Sequence, residues 1–295
     1  MRRLLQRKAL VSVALLLLLA AAAGAQEDDA TRRAWNRPVE PFRVAGNIYY
    51  VGVEGVAVFL LTTPEGHILL DGGFTETVPL IRDSVGKLGF KLEDVKVLIN
   101  SHAHFDHAGG LARLKALTGA KLMISEADAP LVSRGGQGDF YWGDKPTFEP
   151  AAVDRTLRDR DEVKLGGVTM VARITPGHTK GNTTWTMKVR EGGRELDVVF
   201  AGSTTVPGYK LVGNTQYPEI VADYAYTFAL LKSLKCDVFL GPHGSFFSMN
   251  EKRLRMGRGG RANPFIDPQG YKRFINRTEN DYLRQLRREQ AAGRN

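Results

Sequence analysis

Three imidazoles and a carboxylate crowd into His102-Ala-His-Phe-Asp-His107, directly behind the apolar run Val95-Lys-Val-Leu-Ile-Asn100. A short apolar run of this kind reads as a buried strand, and Ala108-Gly-Gly-Leu-Ala-Arg-Leu-Lys-Ala-Leu117 after it reads as a helix. The cluster therefore occupies a strand-to-helix turn. Hydrogen bonding alone does not require such spacing, whereas a divalent metal ion does. Zinc takes neutral imidazole nitrogen and carboxylate oxygen, and a catalytic zinc keeps three protein ligands and an open position.

His102 and His104, two apart in an extended turn, point the same way and can share one ion. Asp106 and His107 fall where the helix begins and so turn toward a neighbouring ion. The chain has six His. Two of the remaining three stand in equally pointed settings: His178 in Thr175-Pro-Gly-His-Thr-Lys-Gly181 and His243 in Gly241-Pro-His-Gly244. Each would complete one set of three ligands, which implies two Zn2+ ions. His67, ahead of Ile68-Leu-Leu70, has no such setting and reads as a strand-edge residue.

The first residues have the form of a secretory leader. Arg2, Arg3, Arg7 and Lys8 precede an apolar run from Ala9 to Ala23, and Ala23-Gly24-Ala25 offers a small-x-small cleavage site. Residues 1–25 are accordingly expected to be removed, giving an exported, periplasmic protein with no stable membrane anchor. Without the four basic leader residues the formal net charge falls from +9 to +5, and residues 251–295 hold 12 Lys or Arg against 5 Asp or Glu. The excess positive charge thus belongs to the tail rather than to the site. The run Lys252-Arg-Leu-Arg-Met-Gly-Arg-Gly-Gly-Arg261 could serve a polyanion or surface. Export and the acids interleaved further on favour a solvated loop, so no nucleic-acid partner is expected. Cys236 is the only cysteine, which excludes an internal disulfide; in Cys236-Asp-Val-Phe-Leu240 it reads as a buried strand residue with a quiet thiol.

Strand and helix signals alternate along residues 26–295. Ile48 to Gly52, Val56 to Thr63 and Ile68 to Asp71 suggest a meander, followed by a helix from Glu76 to Leu88, the strand at Val95, the helix at Leu111 and a strand from Lys121 to Ser125. After a loop rich in Gly, Pro and aromatics come strands near Val168 to Ile174, Thr183 to Val189 and Leu196 to Ala201. A helix around Ile220 to Leu234, a strand at Val238 and a last helix near Tyr271 to Arg288 complete the pattern. Two successive blocks, each delivering metal ligands after a strand, predict one α/β domain with two sheets packed face to face and helices outside.

His102-x-His-x-Asp-His107, followed by His178 and His243 at these separations, resembles the metallo-β-lactamase superfamily. The resemblance implies a four-layer αβ/βα sandwich with the metal site at the edge of its two sheets. That superfamily also holds thioester hydrolases and lactonases, and the residue after Phe200-Ala-Gly202 distinguishes its branches. Where the thioesterase and lactonase branches carry a bridging Asp, and other β-lactamase subclasses a Cys, this chain has Ser203. In this it is similar to subclass B3 β-lactamases, as it is in Trp35-Asn36 ahead of Pro41-Phe42, in Gly46-Asn-Ile-Tyr-Tyr50 and in Gly241-Pro-His-Gly-Ser-Phe-Phe247.

The resemblance implies that His102, His104 and His178 hold one zinc and Asp106, His107 and His243 the other. Asp106 would also act in catalysis by orienting a hydroxide nucleophile, since zinc brings the ionisation of a coordinated water close to neutral pH. Ser203 and Thr205 would meet the substrate carboxylate, and the loop Arg134-Gly-Gly-Gln-Gly-Asp-Phe-Tyr-Trp-Gly143 would flank the pocket. Implied substrates are β-lactam antibiotics; the sequence does not fix the oligomeric state, and a monomer is the expectation. A lactonase or thioester hydrolase of the same fold is the alternative. Many members of this subclass fasten the C-terminal part with a disulfide, and Cys236 resembles one half of such a pair without its partner.

Overall fold

The computed structural model describes residues 30–257 and 262–293. The leader expected over residues 1–25 lies outside the described residues. A helical segment over residues 30–35 (α1) leads into a meander of β1 (Phe42–Ala45), β2 (Ile48–Tyr50), β3 (Phe59–Thr63) and β4 (Gly66–Leu70). The chain then alternates through α2 (Val78–Lys87), β5 (Val95–Ile99), α3 (Phe105–Ala108), α4 (Leu111–Thr118), β6 (Lys121–Ser125), α5 (Ala129–Ser133) and β7 (Arg155–Leu157). A second block comprises β8 (Glu162–Leu165), β9 (Val168–Ile174), β10 (Thr183–Glu191), β11 (Arg194–Phe200), α6 (Ile220–Ser233), β12 (Val238–Leu240), α7 (Met249–Gly257) and α8 (Pro268–Ala292).

Strands β1 to β7 form one sheet in sequence order, antiparallel through β4 and parallel from β4 to β7. The second sheet runs β12-β11-β10-β9-β8 and is antiparallel except for the β11/β12 pair. Alternation along each strand divides the apolar side chains between two faces. Leu60, Leu69, Leu98, Leu122 and Ile124 pack outward under α2, α4 and α5 with Ile81, Val85, Leu111 and Val132. Phe59, Leu61, Ile68, Leu70, Val97 and Ile99 turn inward and meet Met170, Trp185, Met187 and Phe200 of the second sheet in a core that continues to Tyr224 and Phe228 of α6 and Phe274 of α8. This is the expected αβ/βα layering. Each fully buried Leu, Ile or Phe contributes about 1.5–3 kcal/mol.

The edges of the pattern differ from expectation. Strands β1, β7 and β8 are short, and β7 and β8 are largely exposed on their residues, so no sustained apolar run announces them. Cys236 is buried but lies just ahead of β12 rather than inside it, and burial pushes its thiol up, which keeps it protonated. His67 is the second residue of β4, between β3 and β5, where it packs edge-on against Phe90.

The basic run is not simply a solvated loop. Residues 249–257 form α7, and Lys252 is buried and pairs with Asp267 at 3.1 Å. Asp267 also caps α8 through Gly270 N–H at 2.7 Å. Residues 258–261 lie outside the described residues. Tethering of α8 needs no disulfide. Its buried Tyr271, Phe274, Ile275 and Tyr282 join the core, the Tyr271 hydroxyl donates to the Leu231 carbonyl at 2.7 Å, and that of Tyr282 to Val221 at 3.0 Å. At its far end Glu289 Oε2 accepts the Leu211 and Val212 N–H groups at 2.7 and 2.8 Å.

Candidate metal centre

Strand ends gather the polar residues at one edge of the sandwich. Asp71 follows β4, His102 to His107 follow β5, Asp128 follows β6, Ser203 follows β11, His243 follows β12, and His178 sits in the β9–β10 turn. Two bonds lock the sheets together beside the cluster: Thr183 N–H donates to Ser101 O at 2.7 Å and Trp185 Nε1 to Asn100 O at 3.0 Å. The His178 turn depends on Gly177, whose φ is +129° and whose missing side chain leaves room for the Tyr224 ring, 2.8 Å from where a Cβ would stand.

His102, His104 and His178 are buried, and a ligand nitrogen from each lies within 4.8 Å of the other two. Behind this set, Asp106 Oδ2 is 3.0 Å from His107 Nε2 and 3.6 Å from His243 Nε2, and the two Nε2 atoms are 3.3 Å apart. Donor atoms on a tetrahedral zinc at about 2.0–2.1 Å stand roughly 3.3 Å from one another, so this set is close to that spacing. The sets adjoin: the His102 ring centroid is 4.3 Å from that of His107, and His102 also groups with Asp106 and His107 within 4.8 Å.

The rings are oriented from behind, which fixes the nitrogen each can offer. His178 Nδ1 donates to the Thr205 carbonyl and His243 Nδ1 to that of Gly55, both at 2.9 Å, leaving Nε2 for the centre. His102 Nδ1 lies 3.0 Å from Ser101 Oγ, which in turn donates to Asp71 Oδ2 at 2.8 Å. His107 Nδ1 faces the same Asp71 oxygen at 3.6 Å, and His104 Nε2 faces Asp139 Oδ2 at 3.6 Å, which leaves His104 its Nδ1. Partners of this kind behind a ligating imidazole set its tautomer and orientation.

Burial and the neighbouring imidazoles hold His102 and His178 well below the usual histidine range, so both are neutral. His243 is held down at about 4, by burial first and then by His107. For His107 burial works in the same direction, but the carboxylates of Asp106 and Asp71 outweigh it and raise its proton affinity. The Asp106 carboxyl stays ionised because His107, and after it His243 and His104, overcome the cost of burying its charge. Five imidazoles meet here, and among the described residues the buried His104 Nε2 and His107 Nδ1 have no hydrogen-bond partner. An orphaned buried polar atom costs about 1–3 kcal/mol, so this arrangement would destabilise an ordinary core. Oriented imidazole nitrogens gathered around a carboxylate are the donors Zn2+ takes, so the residues fit the ion.

Three carboxylates carry no local sequence signal. Asp71, with φ of +68°, is pinned there by accepting Asn100 Nδ2 at 2.8 Å and Ser101 N–H at 2.6 Å; a non-glycine residue in that region marks a site held against strain. Asp128 accepts Ala103 N–H at 3.0 Å, the Thr179 hydroxyl at 2.7 Å and Gly181 N–H at 2.8 Å, so it joins the two ligand loops from outside. Asp139 stands behind His104. Ser203 is buried, its Oγ 3.1 Å from Thr205 Oγ1, which lies 3.3 Å from His178 Nδ1. The loop expected to flank the site does so: Trp142 packs on Phe105 at 5.9 Å and Tyr141 on Tyr209 at 4.7 Å. Trp35 packs edge-on beside His243 at 5.2 Å.

The model of the metallo-β-lactamase superfamily matches residues 51–243, so the chain belongs to that superfamily, and it carries the superfamily's hydrolase fold. Its structure is similar to FEZ-1 metallo-β-lactamase from Legionella gormanii, with 43% identity, a TM-score of 0.85, and 86% of this chain and 98% of that one covered. BJP-1, a subclass B3 metallo-β-lactamase of Bradyrhizobium japonicum, matches at 41% identity and a TM-score of 0.82, covering 88% of this chain and 98% of that one. The hydroxyacylglutathione hydrolase of Hyphomonas neptunium is 32% identical over 102 residues, 35% of this chain, which spans only 33% of that protein.

Proposed function

We propose that the chain is an exported, periplasmic zinc-dependent β-lactamase, made with a leader over residues 1–25 and a single catalytic domain over residues 26–295, that opens the amide of penicillins, cephalosporins or carbapenems and so confers resistance. The observation that carries this reading is the convergence of Asp106, His107 and His243 at 3.0–3.6 Å behind the His102, His104 and His178 set. That gives six candidate ligands for two ions without a seventh from the segment after β11, where the chain has Ser203. The likeness to β-lactamases over nearly their whole length supports the same reading.

Zinc ions bound in these sets would supply an ionised water at neutral pH and positive charge for the carbonyl oxygen and the departing nitrogen. His102, His104 and His178, offering imidazole nitrogen and no carboxylate, would leave that positive charge undiminished at the carbonyl. Asp106 gives Oδ2 to the side of His107 and His243, and its second oxygen accepts a hydrogen bond from the attacking water and so orients it. In the Ser203 and Thr205 pair one hydroxyl proton is spent on the contact between them. The other is available to the substrate carboxylate, directly or through a water. Trp35, Tyr141 and Trp142, about 40% exposed, give apolar walls to the groups flanking the scissile ring. No seryl or cysteinyl nucleophile takes part.

Parallel assays of a cephalosporin, a carbapenem, a homoserine lactone and a glutathione thioester, with and without chelator, test this. Chelator-sensitive β-lactam hydrolysis, unaffected by clavulanate, is expected. Faster turnover of the lactone or thioester would replace the reading with the corresponding branch of the superfamily.

A further inference from the structure

Each imidazole of the centre is backed by another group, but the backing of His104 differs in kind. His178 and His243 lean on main-chain carbonyls, while His102 and His107 depend on Asp71, which is fixed at a strand end. His104 is backed by Asp139, which belongs to a surface loop. Asp139 Oδ2 and His104 Nε2 face each other at 3.6 Å, their side chains 4% and 6% exposed, and neither atom has a hydrogen-bond partner among the described residues. A buried carboxylate oxygen opposite a buried imidazole nitrogen, both unsatisfied, marks an unfinished contact.

The other oxygen of Asp139 organises the loop. Oδ1 accepts the Tyr141 and Trp142 N–H groups at 2.8 and 2.7 Å. The main chains of Asp139 and Gly143 exchange two hydrogen bonds of 3.0 Å, so residues 139–143 form a closed turn. Phe140 anchors that turn inward against Tyr209 and Tyr217, at 4.8 and 5.0 Å, while Tyr141 and Trp142 remain at the rim. One carboxylate thus touches both a ligand of the centre and the turn that carries two of its aromatic walls.

We propose that Asp139 is a positioning residue: it accepts the Nε2 proton of His104, fixes Nδ1 as the metal-facing nitrogen, and sets the Tyr141 and Trp142 rim in register with the centre. The proposal rests on the two-zinc reading. Bringing the pair from 3.6 Å to the roughly 2.8 Å of a charge-assisted bond needs a movement of about 0.8 Å. Zinc loading and rim order are then coupled: an ion on His104 Nδ1 selects the Nε2–H tautomer, which satisfies Asp139 Oδ2 and stiffens the turn.

Asp139→Asn tests this in the full-length mature protein. The Asn carbonyl still accepts the Tyr141 and Trp142 N–H groups, but its NH2 group now faces His104 and favours the wrong tautomer. Zinc affinity, measured by competition with a chromophoric chelator, should fall about 10–100-fold. The zinc-induced change in tryptophan emission should shrink, with the melting temperature of the zinc-free protein little changed. In 15N-labelled wild type, zinc should bring out an exchange-protected His104 Nε2–H signal that the variant lacks.

Wild-type zinc affinity in Asp139→Asn together with wild-type rim emission would overturn the proposal. Absence of the Nε2–H signal from zinc-loaded wild type would do the same even if the variant failed to fold. A wild type that bound no zinc would instead remove the two-zinc reading beneath it.

Discussion

The two proposed ligand sets differ in donor chemistry and in how they are supported. His102, His104 and His178 bring only imidazole nitrogens, and three separate features hold them: a seryl hydroxyl, a loop carboxylate and a main-chain carbonyl. Asp106, His107 and His243 include a carboxylate, and Asp71 behind His107 places a second one nearby. An ion in the first set would keep its full charge, whereas one in the second would be partly neutralised and lie beside a carboxylate that can accept a hydrogen bond from water. The difference suits a division of labour in which the neutral set polarises an acyl oxygen and the acidic set handles the water and the leaving nitrogen. Asp71 reaches both, through Ser101 to His102 and directly toward His107, so the halves share one rigid support.

That asymmetry can be broken deliberately. His178→Ala in the neutral set should cost at least about 10³-fold in kcat/KM, because several kcal/mol of transition-state charge stabilisation goes with the ion. His243→Ala should cost less, roughly 10²-fold, and mass spectrometry under native conditions should show one zinc retained. Equal losses with both ions gone would show that the sets are one cooperative unit.

A smaller effect is expected just outside the ligands. Ser203→Ala should keep both ions and raise KM several-fold while kcat changes less, since about 1 kcal/mol of ground-state contact is removed. Loss of a zinc in that variant would place Ser203 among the ligands and dissolve the division between the sets. Smallest of all, His67→Ala should leave turnover within about twofold, because its ring packs on Phe90 at a strand start remote from the cluster.

How much of this was legible in the sequence depended on whether the signal was local. The ligand loop could be read because its donors fall within six residues, and the core strands because their apolar runs are unbroken. Asp71, Asp128 and Asp139 were missed since each acts across the chain. Asp128 meets Gly181 53 positions on, and Asp71 meets Ser101 30 positions on. A lone Asp in a loop looks the same whether it caps a turn or backs a ligand. Lys252 misled for a related reason: a run of cations suggests solvent, and only the fold reveals that Asp267 lies opposite this one. Likewise the tethering of α8 by Tyr271, Tyr282 and Glu289 rests on hydrogen-bond partners 40 to 78 residues away, which no local pattern displays.

The claim on which all of this stands is that six side chains hold two zinc ions that together make the site competent. Its most direct test is to return zinc stepwise to chelator-stripped protein while following bound metal and cephalosporin hydrolysis in the same sample. The account predicts an inactive apoprotein, binding that saturates at two equivalents, and recovery of activity that tracks occupancy of the sites. Full hydrolysis by metal-free protein, or saturation with no activity toward any β-lactam, would contradict it.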